Sequence, residues 1–334
     1  MKKNKVYIIA EIGINHDGNV NKAIKLIYSA KRAGADAVKF QVFEAETLAR
    51  DNQRKTKQQK KYLKQNISLA KMWKKMSLSF SDLKKLKNTC LRLKIDFICS
   101  VFDEISLKKV KLLNPKFIKV ASSEINNFHL LNLIKKTKKK IILSTGLAND
   151  KEIRDAIKIF GKKIYLLHCV SSYPCSINIA NIERMVSIKK KFKVQTGYSD
   201  HVIGNHASFI AISLGAKIIE KHFTFNKKLK GGDHILSATE KDLKEIVEFA
   251  NNYNTIKGSG SIKPTKSETI NKKLFRKGLY YSINLNKGSK INLKNLLFAR
   301  PETNIKVNEY KKFIGLKLKK DVQRFDQIKR KDFK

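Results

Sequence analysis

Over the first three-quarters of the chain, short runs of apolar, β-prone residues alternate with longer stretches whose apolar side chains recur at helical spacing. The runs fall at 6–10, 37–40, 97–99, 117–121, 141–143, 164–167, 193–196 and 216–219. Between the first two, Ala23, Leu26, Ile27 and Ala30 repeat every three to four residues before Gly34, and 81–93 and 240–253 follow the same logic. Strand and helix alternating eight times predicts a closed (β/α)8 TIM barrel over 1–256. The periodicity then fades through Lys257-Gly258-Ser259-Gly260-Ser261 and Pro264-Thr265, which predicts a linker over 257–276. A small β-rich unit follows over 277–334, with runs at 279–283, 290–293 and 296–299. One connection in the barrel, 44–75, is long and polar, with a basic run at 54–61, and is expected to act as a lid.

In such a barrel the chemistry sits at the carboxyl ends of the strands. The residues there are Glu11; Lys39 and Gln41; Ser100; Ser122 and Glu124; Ser144; His168; Ser199, Asp200 and His201; and Glu220 and His222. The stretches 197–201 and 220–222 turn abruptly from apolar to acid, imidazole and hydroxyl, as a strand end does on reaching a site. His201 and His222, on adjacent strands and flanked by Asp200 and Glu220, suit an open site for a divalent ion, because two imidazoles are too few for a closed structural one. Lys39 and Lys119 fall within strands, and an inward lysine must meet an anion or perform chemistry. A Schiff-base aldolase is one reading. Phosphate and carboxylate binding together with Ser122, Ser144 and Ser199 is the other, and the collective fit favours it. Glu11, Glu220 and Asp233 are candidate acids or bases. Cys169 beside His168 lacks an orienting third group and is not taken as a nucleophile.

Charge complicates this picture without overturning it. The formal charge is +44, from 72 Lys+Arg against 28 Asp+Glu, yet only ten of the cations are Arg. Arg is the residue suited to bidentate phosphate and base recognition, so the excess reads as compositional bias; no nucleic-acid partner is expected, and a non-catalytic polyanion-binding protein is the rival from another class. The basic runs 135–140, 162–163 and 189–191 precede strands and so belong to the non-catalytic face. Cys90, Cys99, Cys169 and Cys175 form no C-x-x-C pair, as expected in a reducing compartment. The apolar run after the basic start ends at Glu11, too soon for a signal peptide, and no stretch approaches the ~20 apolar residues of a membrane span. A cytoplasmic protein without membrane association is expected.

These residues fall in stretches that carry a family resemblance. The stretches are Ala10-Glu11-Ile12-Gly13-Ile14-Asn15-His16, Ala37-Val38-Lys39-Phe40-Gln41, Lys119-Val120-Ala121-Ser122-Ser123-Glu124 and Ile142-Leu143-Ser144-Thr145-Gly146. Leu167-His168-Cys169 with Tyr173-Pro174, Gly197-Tyr198-Ser199-Asp200-His201 and Glu220-Lys221-His222-Phe223-Thr224 complete the set. In combination they resemble the sialic acid synthase family (N-acetylneuraminate and legionaminate synthase-like), over nearly the whole chain. The tail, through 283–288 and Arg300-Pro301, is similar to that family's small antifreeze-like (SAF, β-clip) domain.

The resemblance implies a transferase condensing phosphoenolpyruvate, water and an N-acetylmannosamine-type sugar into a nine-carbon 2-keto sugar acid, with release of phosphate. It implies that Lys39, Lys119, Ser122, Ser144 and Ser199 bind phosphoenolpyruvate, and that Gln41, Tyr173, Asp233 and Arg300 bind the N-acyl amino sugar. His201 and His222 would hold a divalent metal ion, Mn2+ first with Mg2+ or Co2+ as alternatives, while Glu11, Glu220 and His222 would serve the reacting centre. It further implies a domain-swapped homodimer in which Arg300 reaches the partner's barrel. The chain departs from the family pattern at Ser123, at Ser171 and at Lys230-Gly231-Gly232, where a more rigid Pro-containing turn is usual.

Overall fold

The eight runs become eight parallel strands. In chain order these are β1 (Tyr7–Gly13), β2 (Ala37–Val42), β3 (Asp96–Val101), β4 (Phe117–Val120), β5 (Lys140–Ser144), β6 (Tyr165–His168), β7 (Gln195–Asp200) and β8 (Ile218–His222). Each pairs with the next and β8 closes on β1, giving a closed barrel in the computed structural model, which describes residues 5–48 and 68–334. The intervening helices are α1 (Val20–Arg32), α2 (Ala45–Leu48), α3 (Leu69–Met76), α4 (Phe80–Leu93), α5 (Glu104–Leu113), α6 (Phe128–Lys136), α7 (Asp150–Phe160), α8 (Glu183–Phe192), α9 (His206–Ser213) and α10 (Glu240–Lys257). The long connection thus carries α2 and α3 at its ends; the basic run at 54–61 lies outside the described residues.

Strand parity explains the two cores. Outward residues such as Ile8, Ala10, Val38, Phe40, Leu143 and Ile219 pack against the helices, whose inner stripes supply Leu26, Ile27, Leu86, Ile134 and Ile246. Each such fully buried aliphatic side chain is worth ~1.5–3 kcal/mol of transfer free energy. Inward residues Ile9, Ile98, Phe117, Ile142, Leu167 and Ile218 form a separate apolar plug inside the barrel. Gly197 completes this layer: a Cβ there would stand 2.4 Å from the Ile218 carbonyl oxygen and 2.8 Å from Leu167 Cδ2, so only glycine lets the walls meet.

The runs at 193–196 and 216–219 mark only the beginnings of β7 and β8. Both strands continue to Asp200 and His222, so the polar stretches expected beyond the strand ends lie largely within the strands. Above the plug, inward positions face a polar cavity, and an apolar run therefore underestimates strand length there.

The chain divides into two units, Met1–Lys257 and Gly258–Lys334. In the second, the stretch expected as linker contains helix α11 (Lys266–Phe275), started by a Thr265–Glu268 capping box and burying no residue. β9 (Gly278–Tyr281) and β10 (Leu296–Ala299) pair antiparallel over a core that includes Leu279, Tyr281, Ile291, Phe313, Leu318 and Phe333. The expected strand at 290–293 forms only an isolated bridge, Lys290 to Lys317. Among the described residues, no helix is long and apolar enough to cross a membrane. All four cysteines are free and buried.

Candidate active site

The same parity that builds the plug builds the site one layer higher. Two residues beyond Ile9, Ala37, Ile98, Phe117, Ile142, Gly197 and Ile218 come Glu11, Lys39, Ser100, Lys119, Ser144, Ser199 and Glu220. These line a cavity of about 820 Å³ at the carboxyl mouth of the barrel. The twelve barrel positions to which the family resemblance or their chemistry gives a site role line it: Gln41, Ser122, Tyr173, His201, His222 and Asp233 join Glu11, Lys39, Lys119, Ser144, Ser199 and Glu220. Of the other strand-end residues Ser100 lines it too, whereas Glu124 does not and instead accepts from Asn127 Nδ2 at 3.1 Å. Arg300 belongs to the second unit, where it is exposed and its guanidinium lies 5.8 Å from the centre of the Phe275 ring. His168 is absent from the lining; its Nε2 is 2.9 Å from the Ala180 carbonyl and its ring packs on Tyr198. Asp200, grouped with the site by sequence proximity, points outward, because Ser199 and His201 take the inward positions on either side.

At the floor of the cavity two carboxylates and two ammonium groups alternate. Lys39 Nζ lies 3.1 Å from Glu11 and 3.5 Å from Glu220, and Lys119 Nζ lies 3.5 Å from Glu220. Ser199 donates to Glu220 at 3.0 Å and Gln41 to Glu11 at 3.2 Å. The two acids are driven apart. Burial raises the Glu11 carboxyl to about 7, with Lys39 only partly opposing it, whereas at Glu220 the pull of Lys119, Lys39 and the Ser199 hydroxyl outweighs burial and lowers it to about 2. Burial likewise lowers the Lys119 ammonium, while at Lys39 the attraction of Glu11 and Glu220 overcomes burial and raises it. The site therefore holds one firmly anionic carboxylate and one poised near neutrality.

A polar cradle stands beside this floor. The Gly146 amide donates to Ser122 Oγ at 3.0 Å, and Ser122 Oγ is 3.2 Å from Cys169 Sγ. A Cβ on Gly146 would fall 2.4 Å from Ser171 Oγ, 2.8 Å from Cys169 Sγ and 2.9 Å from Ser122 Oγ, so these three groups converge only because residue 146 has no side chain. Among the described residues the buried Ser144 hydroxyl has no hydrogen-bond partner.

The imidazoles of His201 and His222 face each other with ring centres 5.6 Å apart, and Tyr173 stacks on His201 at 4.2 Å. His201 Nδ1 lies 2.7 Å from the Val170 carbonyl, which can only accept; Nδ1 therefore carries the proton and Nε2 keeps its lone pair. Burial lowers His201 to about 4 and His222 well below its ordinary value, so both rings are neutral at pH 7. Among the described residues buried His222 Nδ1 has no hydrogen-bond partner, the nearest acid being the Asp233 carboxylate at 3.7 Å. Two neutral, converging imidazoles fit a divalent ion held with substrate and water completing its shell. Among the described residues no group of three or more His, Cys, Asp or Glu is arranged to hold a metal, so a closed site is not formed.

Asn15 was not identified from its chemistry, although it lies in the first of the motif stretches. It is fully buried; its Nδ2 donates to the Phe223 carbonyl and the Ser237 hydroxyl, and its Oδ1 accepts from the Asp233 amide, each at 2.9 Å. It thereby fixes the segment carrying Asp233, whose carboxyl burial raises to about 6. Nothing in the spacing of a lone Asn announces partners more than 200 residues away. Met72, Trp73 and Met76 of α3 also line the cavity, so the described end of the long connection reaches the site.

A parallel barrel with paired lysines, unlike carboxyls and neutral imidazoles at its carboxyl mouth defines an enzyme built for a small anionic substrate. The chain belongs to the NeuB family, whose pattern matches residues 26–262. It is 38% identical over 317 residues to the N,N'-diacetyllegionaminic acid synthase of Campylobacter jejuni, covering 93% of this chain and 95% of that protein. To the Legionella pneumophila protein of the same name it is 36% identical over 320 residues, covering 93% and 90%. The crystal structure of an N-acetylneuraminic acid (sialic acid) synthetase from Leptospira borgpetersenii superposes with a TM-score of 0.71 at 34% identity, covering 80% of this chain and 90% of that one.

Proposed function

We propose that the protein condenses phosphoenolpyruvate, an N-acyl amino sugar in its open aldehyde form, and water to a nine-carbon 2-keto sugar acid, releasing phosphate. The observation that carries this reading is the floor of the cavity. Two buried lysines beside an unpartnered serine hydroxyl match a ligand with phosphate and carboxylate groups, and two carboxyls of opposite character stand next to them. The relatives named as diacetyllegionaminic acid synthases favour a di-N-acylated acceptor, and the apolar wall of Met72, Trp73 and Met76 suits acyl methyl groups.

In this reading Lys39, Lys119, Ser122, Ser144 and Ser199 hold phosphoenolpyruvate, and Gln41, Tyr173 and Asp233 hold the acceptor. His201 and His222 are the protein ligands of a divalent ion, Mn2+ with Mg2+ or Co2+ as alternatives, which when bound supplies polarisation of a carbonyl oxygen. The enol carbon C3 bonds to the aldehyde carbon, whose oxygen takes a proton, and positive charge develops at C2. Anionic Glu220 faces that charge. Glu11, poised near 7, is suited to hold and pass a proton as water adds to C2 and the C2–O bond to phosphate breaks.

The mouth of the barrel is rimmed by exposed Leu147, Ile177, Ile203, Phe225 and Leu229 in the loops after β5, β6, β7 and β8. Large exposed apolar side chains on successive loops at one end of the barrel favour an interaction surface there. It supports a domain-swapped homodimer in which the second unit, an antifreeze-like (SAF) domain, covers the partner's site and delivers Arg300 to the N-acyl group. The protein is assigned to the cytoplasm, where phosphoenolpyruvate is supplied.

The test is phosphate release from phosphoenolpyruvate in the presence of Mn2+ with N-acetylmannosamine, its 6-phosphate or a di-N-acetylated trideoxyhexose. Release with none of them refutes the reading. The lowered pKa of Lys119 is the one observation favouring a Schiff-base aldolase. Borohydride trapping of pyruvate on Lys119, with full activity in a chelator, would establish that alternative.

A further inference from the structure

Behind the cavity wall, on the outward face of β7 and β8, lies a second buried charge pair that does not line the site. Asp200 and Lys221 are register partners on the two strands, 0% and 1% exposed, with Nζ 3.0 Å from Oδ2. Asp200 Oδ2 also accepts from Ser208 of α9 at 2.6 Å, and Oδ1 accepts from the Val202 amide at 2.8 Å. Lys221 donates in addition to the Val202 carbonyl and, at 3.0 Å, to the Gly204 carbonyl. The three protons of the ammonium thus have three acceptors. Apart from Ser208 on α9, the groups in these bonds belong to residues adjacent to the imidazole pair or to the loop after β7: Asp200 and Val202 flank His201, Lys221 precedes His222, and Gly204 lies in the loop.

We propose that Asp200 and Lys221 are positioning residues whose function is to fix His201 and His222 relative to each other. Stability alone does not account for them. A buried ion pair is at best a weak stabiliser, and well-packed apolar residues of similar size commonly replace one at no loss. Backbone pairing already joins β7 to β8. What an apolar pair cannot do is grip both the amide and the carbonyl of Val202, and so set the direction in which the chain leaves His201. Outer-shell partners of this kind set ligand geometry, and their loss typically weakens metal binding 10–100-fold.

This inference rests on the reading that the two imidazoles hold a divalent ion. The test compares the full-length wild type with Asp200→Asn/Lys221→Met, which removes both charges together, and with Ser208→Ala, which removes one bond to Asp200. Folding is followed by urea denaturation, Mn2+ affinity by electron paramagnetic resonance without substrate, and kcat and KM for phosphoenolpyruvate by phosphate release. The double variant is expected to unfold cooperatively, to bind Mn2+ about 10–100-fold more weakly, and to lose kcat while KM for phosphoenolpyruvate stays within about 3-fold. Ser208→Ala is expected to shift Mn2+ affinity in the same direction, by about 2–5-fold, and decides the matter if the double variant does not fold. Wild-type Mn2+ affinity and kcat in the folded variants would overturn the inference. Failure of the wild type itself to bind Mn2+ would instead overturn the metal reading, and this inference with it.

Discussion

Replacing Asn15 by Ala tests whether one buried side chain couples the first motif of the chain to the acceptor end of the site. The substitution removes three hydrogen bonds of 2.9 Å, strands the Phe223 carbonyl away from solvent and leaves the half-buried Asp233 amide without its side-chain acceptor. A typical hydrogen bond contributes ~0.5–1.5 kcal/mol net, and a buried group left unpaired costs ~1–3 kcal/mol. Water entering the space left by the amide offsets part of this, so a loss of about 3 kcal/mol is expected. For a barrel-sized domain that corresponds to a Tm lower by roughly 6–12 °C. Because Asn15 touches the segment bearing Asp233 but none of the lysines, KM for the acceptor should rise about ten-fold or more while KM for phosphoenolpyruvate stays near the wild-type value, a change equivalent to roughly one lost hydrogen bond. Differential scanning calorimetry and steady-state kinetics with each substrate varied in turn measure both effects. A Tm within about 1 °C of wild type, or equal rises in the two KM values, would refute the reasoning.

Other expectations follow from the same geometry. Gly146→Ala forces Ser122, Cys169 and Ser171 apart and should raise KM for phosphoenolpyruvate about 10–100-fold, the equivalent of ~1.5–3 kcal/mol for a charge-assisted bond, with little effect on KM for the acceptor. His201→Ala should abolish stoichiometric Mn2+ binding measured by calorimetry while the barrel remains folded by circular dichroism. Glu11 carries a folded pKa of about 7 against an ordinary 4.5, so its contribution to stability is full below about 4.5 and is lost as pH rises through 7. The buried histidines act in the opposite sense, losing stability as pH falls below 6.5. The Tm of Glu11→Gln minus that of wild type should therefore grow more positive between pH 6 and 8, and a flat difference would show that Glu11 is not perturbed as described.

The sequence by itself determined the order of elements, because a parallel strand buried on both faces must read as an apolar run and a helix on a barrel as a 3.6-residue stripe. The strand-end rule also placed ten lining residues, Glu11, Lys39, Gln41, Ser100, Ser122, Ser144, Ser199, His201, Glu220 and His222, since the carboxyl end of each strand is where a barrel exposes its polar groups, whereas Tyr173 came only through the family resemblance. Parity decided the rest. Asp200 and Lys221 stand beside His201 and His222 in the chain and on the opposite face of the wall in the fold, and no pattern of residue types distinguishes inward from outward once both faces are buried. Glu11 and Lys39 meet as register partners on neighbouring β1 and β2, whereas Glu220 of β8 meets Lys119 of β4 only when the sheet closes and brings opposite walls around one axis. That closure drives Glu11 up and Glu220 down, giving two chemically alike side chains opposite character: burial acts on both, and the number and placement of neighbouring cations, which the linear sequence does not contain, separates them.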